Sequence, residues 1–539
     1  MNKRIFILIG LSIMILGSPV LAKDKKNKDG IPSIPLEIKQ YKKNNRDRIT
    51  DMRNDKDAAV ITYFEEFLRI HAHDLEAYYG LTLAYARIGE IDKAMENLNL
   101  AVQHGLSFGR FLAGPRPITK ALTESRAFQG YAKEHGKELI HGPMLGSLSD
   151  QRVHFWLRTW HEIPVRILIS ENRTMDHATS ITANSNKERD YTAVLKTSAL
   201  KADTEYYYQL FLDGIKEDQT YQFKTMPAAG KSAKFEIAFA GGAGYTPMYE
   251  RMWTTVDSYN FRALFLLGDN VYIDTPEVRE TQQYCYYRRQ SRSEFRQITS
   301  STSISAIWDD HDYYTNDGSK MNNAPDQKWK IPVWETFRNN WANPAYGQQG
   351  NPGCYFKQSI ADVDFFFLDG RYYRYKNTML GETQKQWLLD GLKHSTATFK
   401  VLCVNVPITP GVKPGSKDTW DGYKDERDQI LDFVADNRID GFFVIAADRH
   451  RSDAWKTERK KGYPIYEFQS SKFTNMHTHS VLKGSLFGYN KKCSFGRLVF
   501  DTTAKDPTVR YEIINIDNEK QHEIAIKRSE LSHKRKWKN

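Results

Sequence analysis

The sequence predicts a multi-domain α+β protein in which a helical region and a small β-sandwich precede a larger region of strands and helices. Three observations predict this order. Residues 55–135 carry apolar side chains at helical spacing, residues 142–227 read as short alternating strands, and residues 234–533 contain apolar runs typical of buried strands. A chain of 539 residues has room for three or four domains, and its 40% apolar and 27% charged composition is that of a soluble globular protein.

The first 22 residues have the three parts of a secretory signal peptide. Lys3 and Arg4 precede an apolar run, and small residues up to Ala22 form a cleavage site. We therefore expect a secreted or periplasmic mature protein. No Cys follows the cleavage site, which argues against a lipoprotein anchor, and we expect no transmembrane segment. Residues 23–54 are polar and are predicted to be a flexible linker.

The helical region, residues 55–135, has the pattern of a tetratricopeptide repeat with its turn at Gly89. The packing positions are filled by Tyr78, Leu81, Tyr85, Ala94, Leu98 and Ala101. One such unit needs neighbouring helices to bury its faces. Two interpretations stay open: a groove that binds a protein partner, and a small helical cap on the rest of the molecule.

The next region, residues 142–227, is predicted to be a fibronectin type III or immunoglobulin-like sandwich. Its strand signals are the runs 153–158, 164–169 and 206–212, with turn residues between them.

Three apolar runs in the last region each end in a cluster of acidic residues or histidine. These clusters are Gly268-Asp269-Asn270-Val271-Tyr272, Asp309-Asp310-His311-Asp312 and Asp448-Arg449-His450. Polar side chains at the ends of buried strands are typical of sites in α/β sheets. Any one cluster could be a turn or a solvated loop end. Three in succession favour a metal centre, because adjacent carboxylates repel one another unless a cation lies between them.

We expect this centre to hold two or more metal ions. The candidate ligands are Asp269, Asn270, Tyr272, Asp310, Asp448 and His450. A centre of this kind clamps a phosphoryl group and activates water. His311 lies beside a predicted ligand, so it is a candidate catalytic residue that stabilises the phosphate or protonates the leaving oxygen.

These motifs resemble those of the PhoD-type alkaline phosphatases, within the calcineurin-like metallophosphoesterases. Further matches are the stretches 368–374, 381–388 and 420–427, and the resemblance covers roughly residues 142–500. It implies a metallophosphoesterase β-sandwich flanked by helices at residues 234–533. It also implies a dinuclear or larger metal centre, iron with calcium in some members, and hydrolysis of phosphate mono- or diesters.

One motif departs from the family. The family's first strand ends in a Cys that ligates iron, whereas Gly242 stands at about this position here. The missing thiolate argues against iron and favours divalent ions such as Ca, Zn or Mn. The four Cys fit no zinc motif, and Cys285 with Cys354 could form a disulfide.

Several assignments keep an alternative. Arg371 could contact the substrate phosphate or be a structural partner of Asp369, and Asn405 could be a ligand or a strand-end residue. His477 and His479 are weaker ligand candidates. The expected substrate is a phosphate ester, and the net charge of +11 marks no specific nucleic-acid module. The alternative functions are a phosphodiesterase for lipids or polymers and a partner-binding protein with a degenerate metal site.

Overall fold

The computed structural model describes residues 36–318 and 327–533. The predicted signal peptide, residues 1–22, lies outside the described residues, as do residues 23–35 of the predicted linker.

The N-terminal part is helical. Its helices are α1 (Leu36–Lys39), α2 (Tyr41–Arg53), α3 (Asp57–Ile70), α4 (Leu75–Arg87), α5 (Ile91–Gln103), α6 (Gly109–Ala113), α7 (Arg116–Thr123) and α8 (Arg126–His135). Helix α4 packs against both α3 and α5. Asp74 caps α4 by accepting a hydrogen bond from the Ala77 amide at 2.7 Å. Gly89 makes the turn into α5 with a φ of 86°, a conformation that costs glycine little.

Residues 41–53 correct the linker prediction, because they form helix α2. Tyr41, Ile49 and Met52 recur at helical spacing and are buried. The charged residues between them made this segment resemble a linker. Its tertiary partners, helices α3 and α10, supply the apolar surface that stabilises it.

The following strands are divided between two sheets. They are β1 (Leu139–Gly146), β2 (Val153–Thr159), β3 (Pro164–Ser170), β4 (Thr179–Asn184), β5 (Thr192–Thr197), β6 (Glu205–Leu212) and β7 (Ile215–Lys224). Strands β4-β3-β6-β7 form a four-stranded sheet. The other three join the large sheet of the next region, where Gly146 of β1 pairs in parallel with Ile304. This region is therefore continuous with the next one.

The last region alternates strands and helices. Its strands are β8 (Lys234–Ala240), β9 (Ala263–Leu267), β10 (Ser303–Ile307), β11 (Phe356–Ile360), β12 (Val363–Phe367), β13 (Phe399–Cys403), β14 (Phe442–Ala446), β15 (Ser452–Thr457), β16 (Ile465–Gln469), β17 (Phe487–Tyr489), β18 (Ser494–Asp501), β19 (Thr508–Asn515) and β20 (Lys520–Lys527). Its helices are α9 (Met252–Asp257), α10 (Arg279–Gln290), α11 (Ser293–Thr299), α12 (Asp310–Tyr313), α13 (Lys330–Asn340), α14 (Gly381–His394) and α15 (Lys424–Asp436).

Two large sheets pack face to face across an aromatic core. Within the described residues their strand orders are β20-β19-β18-β8-β9-β10-β1-β2-β5 and β11-β12-β13-β14-β16-β15-β17. The ring of Phe265 on β9 lies 5.0 Å from that of Phe365 and 4.8 Å from that of Phe367 on β12. Strands β8, β9 and β10 run parallel, as do β12, β13, β14 and β16. Each sheet therefore collects the carboxyl ends of several strands at one edge.

The four cysteines are all buried free thiols, so the disulfide considered between Cys285 and Cys354 is not formed. Among the described residues, no helix has both the length and the apolar character needed to cross a membrane.

Candidate metal centre

The three clusters meet in one cleft of about 480 Å³. Six of the eight predicted site residues line it: Asp269, Tyr272, Asp310, His311, Asp448 and His450. They meet because each cluster begins within two residues of the carboxyl end of β9, β10 or β14. A larger groove of about 810 Å³ lies between α7, α8 and Trp160, but it has no comparable cluster of carboxylates and imidazoles in its lining.

The backbone at this edge is strained. Asp269, Tyr272, Asp448 and His450 all have φ between 45° and 62°, in the left-handed region that these residues rarely adopt. Strained backbone of this kind persists where the surrounding structure enforces it, and it clusters at functional sites. Asp312 holds one of these turns by accepting hydrogen bonds from the amides of Asn270 and Val271, at 3.0 and 2.9 Å.

The donor atoms fit a cation. One carboxylate oxygen each of Asp269 and Asp310 and one ring nitrogen of His311 lie within 4.8 Å of one another, and Asp310 forms a second such group with Asp317 and Asp418. The Oδ1 atoms of Asp269 and Asp310 are buried and have no hydrogen-bond partner among the described residues, and the same holds for Nδ1 of His450. Burial raises the pKa of Asp269 well above its usual value. Clustered buried carboxylates of this kind need a positive ion to be stable in ionised form.

Gly242, where the family's Cys is missing, lies at the edge of the cleft. A Cβ atom at this position would lie 3.1 Å from Nδ1 of His450. The position therefore faces the metal centre, but glycine supplies no donor atom there.

Asn270 and Arg371 lie outside the cleft lining. The Asn270 amide donates to the Ile307 carbonyl at 2.8 Å and to Asp312 at 3.1 Å, which ties the loop after β9 to β10. Its Oδ1 is buried without a hydrogen-bond partner in the described part of the chain.

Arg371 corrects the expectation of a phosphate contact. It is fully buried and donates to Asp309 at 2.6 Å and to Asp418 at 2.7 Å. Asn405 also donates to Asp309, at 2.7 Å. Burial would lower the pKa of Arg371, but Asp309 and Asp418 raise it well above its usual value. Arg371 thus fixes the carboxylates behind the cleft, a position that sequence alone cannot distinguish from one inside it.

His311 lies against Tyr272, with ring centroids 4.4 Å apart, and its Nδ1 is hydrogen-bonded to Asp274. Burial would lower the pKa of His311, but Asp310, Asp269 and Asp274 outweigh it and raise the pKa to about 10. The opposite holds for Asp274: burial would raise its pKa, whereas His311 and Arg46 lower it to about 2. The carboxylates around His311 therefore favour its protonated form, and Asp274 holds its Nδ1.

From the sequence, two histidines of the cleft were given too little weight and two basic residues were missed. His477 and His479 lie beside His450, at ring-centroid distances of 5.0 and 5.8 Å. Lys42 and Arg46 of α2 also reach the site, where Arg46 pairs with Asp274. Both were missed because the segment was predicted to be a linker, although Lys42 and Arg46 stand at i, i+4 spacing, which places them on one face of a helix.

A model of the PhoD-like phosphatase family matches residues 237–531, more than half of the chain. A second model, for a domain of unknown function (DUF7800), matches residues 136–228. The chain is 23% identical over 313 residues to Alkaline phosphatase D of Bacillus subtilis (strain 168), in an alignment that covers 48% of this chain and 53% of that protein. The chain thus spans about half the length of this curated relative.

Two solved structures share the fold. The structure of PhoD has a TM-score of 0.62 at 16% identity, covering 73% of this chain and 91% of PhoD. The purple acid phosphatase PPD1 from yellow lupin (Lupinus luteus) seeds has a TM-score of 0.55 at 10% identity, covering 72% and 75% of the two chains. The family match, which extends over all three clusters of the cleft, confirms the resemblance found in the motifs: the chain belongs to the PhoD-like phosphatase family.

Proposed function

We propose that this protein is a metal-dependent phosphoesterase that hydrolyses phosphate mono- or diesters. The observation that carries the proposal is the convergence of Asp269, Asp310 and His450 with buried donor atoms that lack hydrogen-bond partners in the described structure. Family membership supports a phosphoester substrate. When bound, two or more metal ions would activate water and neutralise charge on the phosphoryl group.

The residues of the cleft have different roles. Asp269, Asp310, Asp448 and His450 would hold the metals, and Tyr272 orients Asp269 by donating to its Oδ2 at 2.6 Å. The Nδ1–H of His311 is held by Asp274, which leaves its Nε2–H for the substrate. We infer that His311 donates this proton to the leaving oxygen or stabilises the phosphate charge.

The expected metals are divalent ions such as Ca, Zn or Mn. Gly242 supplies no thiolate, and the other candidate donors are oxygen and imidazole nitrogen atoms. The missing thiolate speaks against iron at this position, although oxygen and imidazole donors alone would accept it.

Hydrolysis of an aryl phosphate tests the proposal. The purified protein should hydrolyse p-nitrophenyl phosphate or bis(p-nitrophenyl) phosphate, lose this activity with a chelator, and regain it with Ca, Zn or Mn. A chelator already saturated with Zn is the control and should have no effect. The ratio of the two substrates separates a phosphatase from a phosphodiesterase that acts on lipids or polymers.

Two results would contradict the proposal. Hydrolysis that a chelator leaves unchanged would remove the role of the metal centre. A protein that has neither bound metal by elemental analysis nor activity with any added ion would instead be a partner-binding protein with a degenerate site.

We also propose that the protein is exported to the periplasm or secreted. The sequence of residues 1–22 supports this, and N-terminal sequencing of the mature protein tests it. Export should yield a chain beginning at Lys23, and a mature chain that retains Met1 would refute it.

For the tetratricopeptide-like helices we propose a cap on the catalytic part in preference to a groove for a protein partner. Glu76 of α4 accepts a hydrogen bond from Tyr284 of α10 at 2.5 Å, and the tilted ring of Tyr79 lies 6.2 Å from that of Tyr284. Substituting Tyr284→Phe should lower the melting temperature if the cap stabilises the catalytic part. An unchanged melting temperature would count against the cap.

A further inference from the structure

Helix α2 brings a lysine into the cleft from the opposite end of the chain. The Lys42 ammonium lies 3.5 Å from the centroid of the Tyr272 ring and donates to Oδ1 of Asn475 at 3.0 Å. Asn475 in turn donates to the Tyr272 hydroxyl at 2.5 Å, and Tyr272 donates to Asp269. Lys42 is thus connected to Asp269, a predicted metal ligand, through the side chains of Asn475 and Tyr272.

The cleft has space for this ammonium group because residue 244 is a glycine. A Cβ atom at Gly244 would lie 2.8 Å from Nζ of Lys42 and 3.0 Å from Oδ1 of Asn475. Any side chain at this position would collide with both groups. The Gly244 backbone, the Asn475 amide and the Lys42 ammonium group therefore lie in close contact, so the lysine occupies a tight pocket.

Lys42 differs from the other cations near the centre. Arg46 is paired with Asp274 and donates to the Tyr272 carbonyl, and Arg371 is paired with Asp309 and Asp418. Within the described part of the chain Lys42 has no carboxylate at ion-pair distance, and Asn475 is its one hydrogen-bond acceptor. An ammonium has three N–H donors, so two remain for another partner.

Asp269 and Asp274 attract Lys42 only from beyond ion-pair distance, and a partly buried cation in this position is costly unless an anion meets it. The carboxylates of the centre are the ligands of the expected metals, which leaves the anionic substrate as the partner for Lys42. We propose that Lys42 is a substrate-binding residue whose ammonium group contacts a non-bridging oxygen of the phosphoryl group. This inference rests on the proposed function and makes α2 part of the active site.

Two neighbouring lysines fit this assignment. Lys39, at the end of α1, and Lys43 of α2 also line the cleft. They place further positive charge at the entrance, where it attracts anionic substrates.

The test compares Lys42→Met and Lys42→Arg with Lys56→Met, an exposed lysine just after α2. For each metal-loaded protein, titration calorimetry gives the dissociation constant of inorganic phosphate, and elemental analysis gives the metal content. Lys42→Met should bind phosphate about 10- to 100-fold more weakly with unchanged metal content, because one charge-assisted hydrogen bond is lost. Lys42→Arg should recover part of the affinity, and Lys56→Met should match the wild type.

Gly244→Ala gives a second, independent variant. It keeps the lysine charge but displaces the ammonium group, so it should weaken phosphate binding in the same direction. Wild-type phosphate affinity in Lys42→Met would overturn the proposal. So would a change in metal content without a change in phosphate affinity, since Lys42 would then only balance the charge of the centre.

Calorimetry also separates this inference from the proposed function. If the wild type binds phosphate but hydrolyses no ester, and Lys42→Met loses that binding, the lysine assignment holds and the hydrolase assignment fails.

Discussion

Asp310 and His311 stand next to each other in the chain and offer different chemistry to the cleft. Asp310 presents a buried carboxylate oxygen that has no hydrogen-bond partner among the described residues. His311 presents an imidazolium whose Nδ1 is already held by Asp274. Removal of a metal ligand lowers the metal content, whereas removal of a proton donor lowers the rate. Substitution of each residue therefore distinguishes the two roles.

We expect Asp310→Asn to lose bound metal and activity together. His311→Gln should keep its metal but lose a factor of about 10² to 10⁴ in kcat, the usual effect of removing one proton-transfer or electrostatic group. Elemental analysis and steady-state kinetics measure the two effects. His394→Gln, at the exposed end of α14, is the matched control and should behave as the wild type. Full metal content and normal rates in both site variants would contradict the assignment.

The residues of the cleft that follow an apolar run were predictable. Asp269, Asp310 and Asp448 each follow an apolar run that predicts a buried strand, and the two packed sheets bring these strand ends together. The role of Arg371 stayed open because its motif does not reveal on which side of the acidic cluster the guanidinium lies. Lys42 was missed because no local pattern connects α2 to a loop more than 200 positions away, as its neighbour Arg46 illustrates by contacting Tyr272 across 226 positions.

At the scale of secondary-structure elements, the packing of α3 on α4 depends on one glycine. A Cβ atom at Gly80 would lie 2.1 Å from the ring of Phe64, which is only 2% exposed. The sequence indicated both helices and the turn after α4. It could not indicate this contact, because a glycine in a helical pattern does not show which side chain packs against it.

Substituting Gly80→Ala should therefore destabilise the helical part. Overpacking of this kind costs about 1–3 kcal/mol, which outweighs a gain of up to about 1 kcal/mol in helix propensity. Urea unfolding followed by circular dichroism measures the change.

The matched control for this prediction is Gly130→Ala in α8. A Cβ atom there has nothing within 4 Å, so only the gain in helix propensity of up to about 1 kcal/mol applies. If the two variants unfolded at the same urea concentration, the contact between Gly80 and Phe64 would not be tight in solution.

At the scale of the whole molecule, the region after the helices shares its hydrogen bonding with the catalytic part. The strand pattern predicted short strands between residues 142 and 227, but it could not predict that β1 would pair with β10. The partner of a strand depends on tertiary contacts, and a period of two residues contains no information on them. Stability in this region should therefore be shared with the catalytic part.

Buried histidines at this junction predict a dependence of stability on pH. His141 of β1 makes hydrogen bonds with Arg158 at 2.8 Å and Ser291 at 2.9 Å. Burial, and then the charge of Arg158, lower the pKa of His141 well below 6.5, so the folded protein holds it neutral. In the unfolded chain it takes up a proton near pH 6.5. Below this pH the unfolded state binds more protons, and the stability that the neutral histidine contributes is lost.

The difference in unfolding free energy between the wild type and His141→Gln isolates this effect from the carboxylates that titrate in the same range. At pH 7 the variant should be less stable, because two buried hydrogen bonds are disturbed. Between pH 7 and pH 5 the difference should shrink by about 2 kcal/mol, since one proton per molecule corresponds to about 1.4 kcal/mol for each pH unit below 6.5. Urea titrations at constant ionic strength measure it, with the exposed His135→Gln as the control. A difference for His141→Gln that is the same at both pH values would mean that this histidine has the same pKa in the folded protein as in the unfolded chain.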